Sequence, residues 1–173
     1  IGSGLVGSEM CIRDRKAYAT IRDIAIELGY LPEEMKEIMK CNYMIETGEP
    51  YFSLSNCSMG TARDFITFLM DFVLREGIPL SDSGIERADD VGKYLYACIK
   101  HRKCAVCGKD GEIHHVDTIG MGNDRRRVDD SGYRKICLCR THHTIAHQRG
   151  MPSFEKMYHV YGIVVDDNPD GKS

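Results

Sequence analysis

Nowhere in this 173-residue chain do about 18 apolar residues run together, so no segment reads as a membrane-spanning helix. Residues 1–15 lack the basic start and apolar run of a secretory signal. There is no glycine-rich loop of the kind that cradles a phosphate, which argues against an ATP requirement. A disulfide framework is missing as well: Cys11, Cys41, Cys57 and Cys98 are scattered, as reduced thiols in a cytoplasm would be. Nor is there an overall excess of positive charge, since the net charge is −3.

The distribution of charge changes that last reading. Residues 1–100 carry 11 Lys and Arg against 16 Asp and Glu, whereas residues 101–147 carry 9 against 6. The basic part is also where six of the seven histidines and four of the eight cysteines fall. Arg125, Arg126 and Arg127, with Lys100, Arg102 and Lys103, are therefore candidates to meet phosphates beside a metal site; alone, they would read equally well as solvated loop charges.

Two ligand sets can be drawn from residues 104–147 without sharing a residue. Cys104 and Cys107 form one pair with a two-residue gap, and Cys139 and His142 form another. Together they make the closed Cys3His arrangement of a structural zinc site. Cys137 stays open, either as a substitute for Cys139 or as a small buried residue. His143 and His147, four apart, share one face of a helix, and His114 completes a second set of three imidazoles. Three protein ligands leave a coordination position vacant, as a catalytic ion requires. If residues 111–116 form a strand, His114 and His115 point to opposite faces, so one can ligate while the other meets substrate. An imidazole titrates near neutrality, which suits His115 to act as general base.

The order Cys-Ala-Val-Cys at 104–107, His114-His115, a loop containing Gly120, Gly122 and Asn123, then Cys139-Arg-Thr-His142-His143 and His147 resembles the HNH, or ββα-metal, nucleases. It is most similar to those of phages infecting Gram-positive bacteria. The resemblance implies a DNA phosphodiesterase with His114, His143 and His147 on a divalent ion (Mg2+, Mn2+, Ni2+ or Zn2+) and His115 activating water. It also implies a middle asparagine that orients the base, for which Asn123 is the candidate, with Asp129 and Asp130 nearby. The cytoplasm would then be that of a bacterial host cell, and the partner DNA, whether single-stranded, duplex or branched. An oligomer would suit the cutting of two strands.

Upstream, the chain reads helical. Ala17, Ile21, Ile24, Ala25 and Leu28 make a helical stripe ending at Gly29. Pro32 opens a second helix with Met35, Ile38, Met39 and Met44 on its apolar side. Ser58 or Thr61 caps a third, buried through Phe65, Ile66, Leu69, Met70, Phe72 and Val73 and ended by Gly77. After Ser81–Gly84, Ile85, Ala88, Val91, Leu95, Ala97, Cys98 and Ile99 predict a fourth helix, weakened by Gly92. The lead-in Ser53-x-Ser55-x-Cys57-Ser58-Met-Gly-Thr-Ala62 is similar to the NinB (Orf) phage recombination proteins, which bind single-stranded DNA. This implies an association with phage recombination proteins. It also supplies a rival reading, a non-catalytic, zinc-stabilised recombination mediator.

The expected architecture is α+β, mostly α. Residues 16–100 form a helical NinB-like region and residues 101–162 a zinc-stapled ββα-metal module, with Gly150 closing the metal-binding helix and Ser153 capping a last one whose apolar side is Phe154, Met157, Tyr158 and Tyr161. Residues 163–173 are an expected disordered tail, polar from Asp166 onward. Residues 4–15 resemble a translated sequencing adapter, so residues 1–15 are expected to be a non-native leader, disordered or weakly packed.

Overall fold

The structure, a computed structural model, describes residues 3–117 and 132–165, with side chains from residue 11 onward. It is mostly helical with one three-stranded sheet, in agreement with an α+β chain. Two compact units divide between Tyr94 and Leu95. No helix among the described residues is long and apolar enough to cross a membrane.

The first unit is built on three helices, α1 (Ser3–Leu28), α2 (Pro32–Thr47) and α3 (Met59–Glu76), each packed against the other two. Ser58 caps α3 by accepting the Thr61 backbone N–H at 3.0 Å, and Gly77 ends it at φ +70°, a left-handed conformation that glycine adopts without a Cβ clash. Ile21, Ile24, Met35, Met39, Phe65, Ile66, Leu69 and Met70 are buried to within 2% of full occlusion. Edge-on contacts of Tyr43 with Phe52, Phe65 and Phe68, at 5.4 to 5.6 Å between ring centroids, close one end of this core. Leu28 and Ile38, expected inside, face solvent instead, and Tyr43 takes the buried position on α2.

Residues 3–15 are helical, as the start of α1, and Arg13 pairs with Asp89 at 2.8 Å. Two expectations for the upstream region are corrected. The expected fourth helix is two, α4 (Gly84–Arg87) and α5 (Val91–Lys100). Ala88 is extended (φ −62°, ψ 143°), its carbonyl accepts Lys16 Nζ at 2.6 Å, and Asp90 Oδ1 accepts the Lys93 N–H at 3.0 Å, starting α5 afresh. The boundary between the units also lies inside α5 rather than at residue 100.

The second unit starts in the last turns of α5, from which His101 N–H bonds to the Ala97 carbonyl and Lys103 N–H to that of Cys98. Arg102 turns the chain at φ +55°. Strand β1 (Glu112–His115) pairs antiparallel with β2 (Arg134–Leu138), so that His114 faces Ile136 and His115 faces Lys135. Helices α6 (Arg140–Arg149) and α7 (Met151–Tyr158) follow, and β3 (Ile163–Val164) pairs with β2 through Arg134 and Lys135. The tail therefore does not begin at residue 163. Gly162 permits this third strand: a Cβ there would lie 2.5 Å from Val116 Cγ2 and 3.0 Å from Arg134 Cβ. Helix α7 starts at Met151, with Pro152 in its first turn, so Ser153 lies within the helix and does not cap it.

Candidate metal centres

The first centre joins a turn to a helix start. Cys104 and Cys107 flank a tight turn in which the Gly108 N–H reaches the Cys104 carbonyl at 2.9 Å, and Gly108 takes φ +70°. Ala105 N–H bonds to the Cys137 carbonyl at 2.9 Å, fixing the turn against β2. Cys139 stands at the N-cap of α6, yet its side chain makes no capping bond and turns inward. His142 Nδ1 lies 3.4 Å from Cys104 Sγ and 3.2 Å from Cys139 Sγ, and the Cys107 and Cys139 sulfurs are 3.8 Å apart. These four side chains make a cluster that can hold a metal ion such as zinc.

The donor chemistry fits such an ion. Burial pushes the Cys104 thiol up to about 12, so a thiolate at this fully occluded position calls for a cation beside it. At Cys139 burial also acts upward. Hydrogen bonds from the His142 backbone, the Cys107 and Cys104 thiols and the Thr141 backbone outweigh it, leaving the thiol below its ordinary value. Burial, then Lys109, keeps His142 below its usual range and so in the neutral form that ligates. Cys137 is not among these four side chains; it is fully buried on β2, close to Gly111.

Helix α7 supplies support that spacing did not reveal. Tyr158 meets the His142 ring edge-on at 5.2 Å between centroids, and buried Phe154 lies 6.4 Å from it. Their four-residue spacing was legible as an apolar side; its target, an imidazole, was not.

The second centre draws on β1 and α6. His143 and His147 rise from successive turns with their Nε2 atoms 3.0 Å apart. His114 comes from the sheet, its ring centroid 4.6 Å from that of His143 and 5.0 Å from that of His147. One ligand nitrogen from each lies within 4.8 Å of the others, so the three converge on a common point. Burial, followed by the neighbouring His143, His147 and His115 rings, lowers His114 to about 4. His114 is thus a neutral donor at physiological pH, as a divalent ion requires.

The other expected site residues are placed as follows. His115 stands on β1 beside His114 and opposite Lys135. Lys103 is 2.6 Å from Asp110 and mostly covered, an ion pair at the base of the cysteine turn. Asn123, Arg125, Arg126 and Arg127 lie outside the described residues. Just past His115, Asp117 binds Arg134, and the hydrogen bonds from that side chain hold its carboxyl below the usual range.

A family model described as "Putative HNHc nuclease" matches residues 7–170, nearly the whole chain. The chain belongs to this HNH nuclease family. The match extends over the helical unit as well as both histidine- and cysteine-rich clusters, so family membership is not confined to residues 104–147. No curated protein and no solved structure matches the chain.

Proposed function

We propose that this member of the HNH family is a metal-dependent endonuclease that hydrolyses DNA phosphodiester bonds, using a ββα-metal module made of β1, β2 and α6. The observation that carries the reading is the convergence of His114, His143 and His147 on one point with no fourth protein donor among the described residues. A purely structural site closes its coordination sphere with protein, as the Cys3His cluster does.

When bound by the three histidines, a divalent ion would polarise the scissile phosphate and stabilise the leaving 3′-oxygen. The remaining steps belong to the chain. His115, next to a ligand but on the other face of β1, takes a proton from the attacking water at an unprotonated ring nitrogen. Arg125, Arg126 and Arg127 bind the DNA backbone, and Asn123 orients His115. The Cys3His cluster holds a structural zinc that fixes the start of α6. An all-imidazole set does not favour Mg2+ strongly, so Mn2+, Ni2+ and Zn2+ are the ions expected to support cleavage best in vitro. Phage recombination as the setting rests on the NinB-like lead-in at residues 53–62.

The test is cleavage of supercoiled plasmid and of single-stranded circular DNA by purified protein with Mg2+, Mn2+ or Ni2+. His115→Ala is assayed beside it, after both proteins are shown to keep zinc and fold. Metal-dependent nicking that falls by about 10²- to 10⁴-fold in His115→Ala supports the reading. A folded, zinc-loaded wild type that cuts neither substrate with any ion would overturn it and favour a non-catalytic DNA-binding mediator.

A further inference from the structure

The hairpin that carries His115 is tied by several hydrogen bonds at the end where β1 leaves toward the segment that returns as β2. β1 has four residues, and its last registered pair is His115 with Lys135. One step beyond, Val116 N–H bonds to the Arg134 carbonyl at 2.9 Å. The Asp117 side chain then folds back across the strands. Its Oδ2 accepts the Arg134 backbone N–H at 2.8 Å, and its Oδ1 accepts Arg134 Nη2 at 2.7 Å and Nε at 3.1 Å. From the other side, Gly162 admits the β3 strand against Val116 and Arg134, and Gly162 N–H donates to Glu155 Oε1 at 3.3 Å.

Side chains of this pair are 32% and 48% exposed. An ion pair this open to water is screened, and exposed pairs typically contribute only modestly to stability. What it does control is geometry. A forked guanidinium–carboxylate pair with an added backbone bond fixes the direction in which β1 leaves the sheet. The residue whose aim depends on that direction is His115, two positions before Asp117.

We infer that Asp117 and Arg134 are positioning residues: their clamp across the end of the β1–β2 hairpin holds His115 at the angle from which it works on the phosphodiester. The inference rests on the nuclease reading above. The clamp touches neither the three-histidine centre nor, in this role, the DNA. Its loss therefore acts through His115 on the chemical step and leaves DNA affinity unchanged.

The experiment measures single-turnover cleavage rates and DNA dissociation constants for the full-length, zinc-loaded wild type, Asp117→Ala, Asp117→Asn and Arg134→Lys, and repeats Asp117→Ala in a His115→Ala background. Misaiming a catalytic group by about 1 Å costs on the order of 10²-fold, and that is the expected loss of rate for Asp117→Ala. Asp117→Asn, which keeps an acceptor for the Arg134 N–H, falls between it and wild type, and Arg134→Lys loses least. Dissociation constants stay within about twofold, and Asp117→Ala adds less than about threefold to the defect of His115→Ala, since residues acting as a unit are not additive.

Rates within about threefold of wild type in Asp117→Ala, or full additivity with His115→Ala, would overturn the clamp as a positioning device. A defect in affinity instead of rate would overturn it too, and place Asp117 and Arg134 on the DNA. If Asp117→Ala does not fold, Asp117→Asn carries the same comparisons. An inactive wild type would remove the nuclease reading itself, and the inference with it; an active wild type beside an equally active Asp117→Asn removes the inference alone.

Discussion

His142 and His143 are adjacent on α6 and belong to different clusters. Successive residues on a helix point about 100° apart, so one turn of backbone presents a ligand to each of two centres. On the His142 side, two thiols from a separate turn and one from the N-cap of α6 complete four donors, two aromatic rings abut the imidazole, and Cys104 is fully occluded. On the His143 side there are three imidazoles and one of them, His147, is exposed. Closure and softness of donors suit an ion that stays; three neutral nitrogens, with no fourth donor among the described residues, suit an ion that works. The difference is one of environment, because the local sequence on both sides is histidine-rich.

Breaking the closed side should have the largest effect. Apparent binding energies of structural zinc run to about 10–16 kcal/mol, so Cys107→Ala, or a strong chelator, should unfold the second unit outright. Proteolysis is then expected to cut between residues 95 and 165, and residual helical circular dichroism to report the first unit. Breaking the open side should leave the fold standing. His143→Ala is expected to keep one tightly bound zinc per chain while losing the second, weaker ion and, with it, cleavage by at least about 10²-fold; metal analysis after dialysis checks the stoichiometry.

A pH scan sharpens the same contrast. His114 sits near 4 in the folded chain against an ordinary 6.5. Between these values the unfolded chain binds more protons than the folded one, so this group's contribution to stability is present above about pH 6.5 and lost as pH falls toward 4. The zinc-loaded protein without a second ion should show that slope in its melting temperature, and His114→Ala should lack it. An NMR midpoint near the ordinary value for the His114 imidazole would refute the assignment.

The mildest perturbation strikes both centres at once. Ala146 is buried on α6, and Ala146→Gly loosens the helix by about 1 kcal/mol. Both metal affinities should then fall together by about fivefold, measured by competition with a chelating dye. A change in one alone would mean that the two centres do not share α6 as their common support.

Much of the clustering was legible in the sequence because side chains able to hold one ion recur at short, characteristic gaps. The gaps in Cys104–Cys107, Cys139–His142 and His143–His147 are local, and local gaps survive the step from string to structure. The helix ends at Gly29, Gly77 and Gly150 were legible for a similar reason, since chain reversal at positive φ selects glycine. What escaped depends on partners distant in sequence. The break at Ala88 follows from Lys16 taking its carbonyl, 72 residues away, and no periodicity within residues 85–99 encodes that. Strand β3 has two residues, too few for an alternating pattern, and exists because Gly162 lets it approach Arg134 and Val116. Tyr158 looked like part of an apolar helix side; that the side covers His142 is visible only after folding.

The placement of two ligands of different centres side by side on α6 also has a consequence for how such a sequence can change. Inserting or deleting one residue within α6 rotates everything beyond it by about 100° and shifts it about 1.5 Å along the axis. Between Cys139 and His142 such a change would misdirect both imidazole ligands to the open centre as well as the closed one; between His143 and His147 it would dismantle the open centre and spare the other. Length variation among descendants of this chain should therefore be purged most strictly from the three residues after Cys139, where a single codon gained or lost disrupts both clusters together.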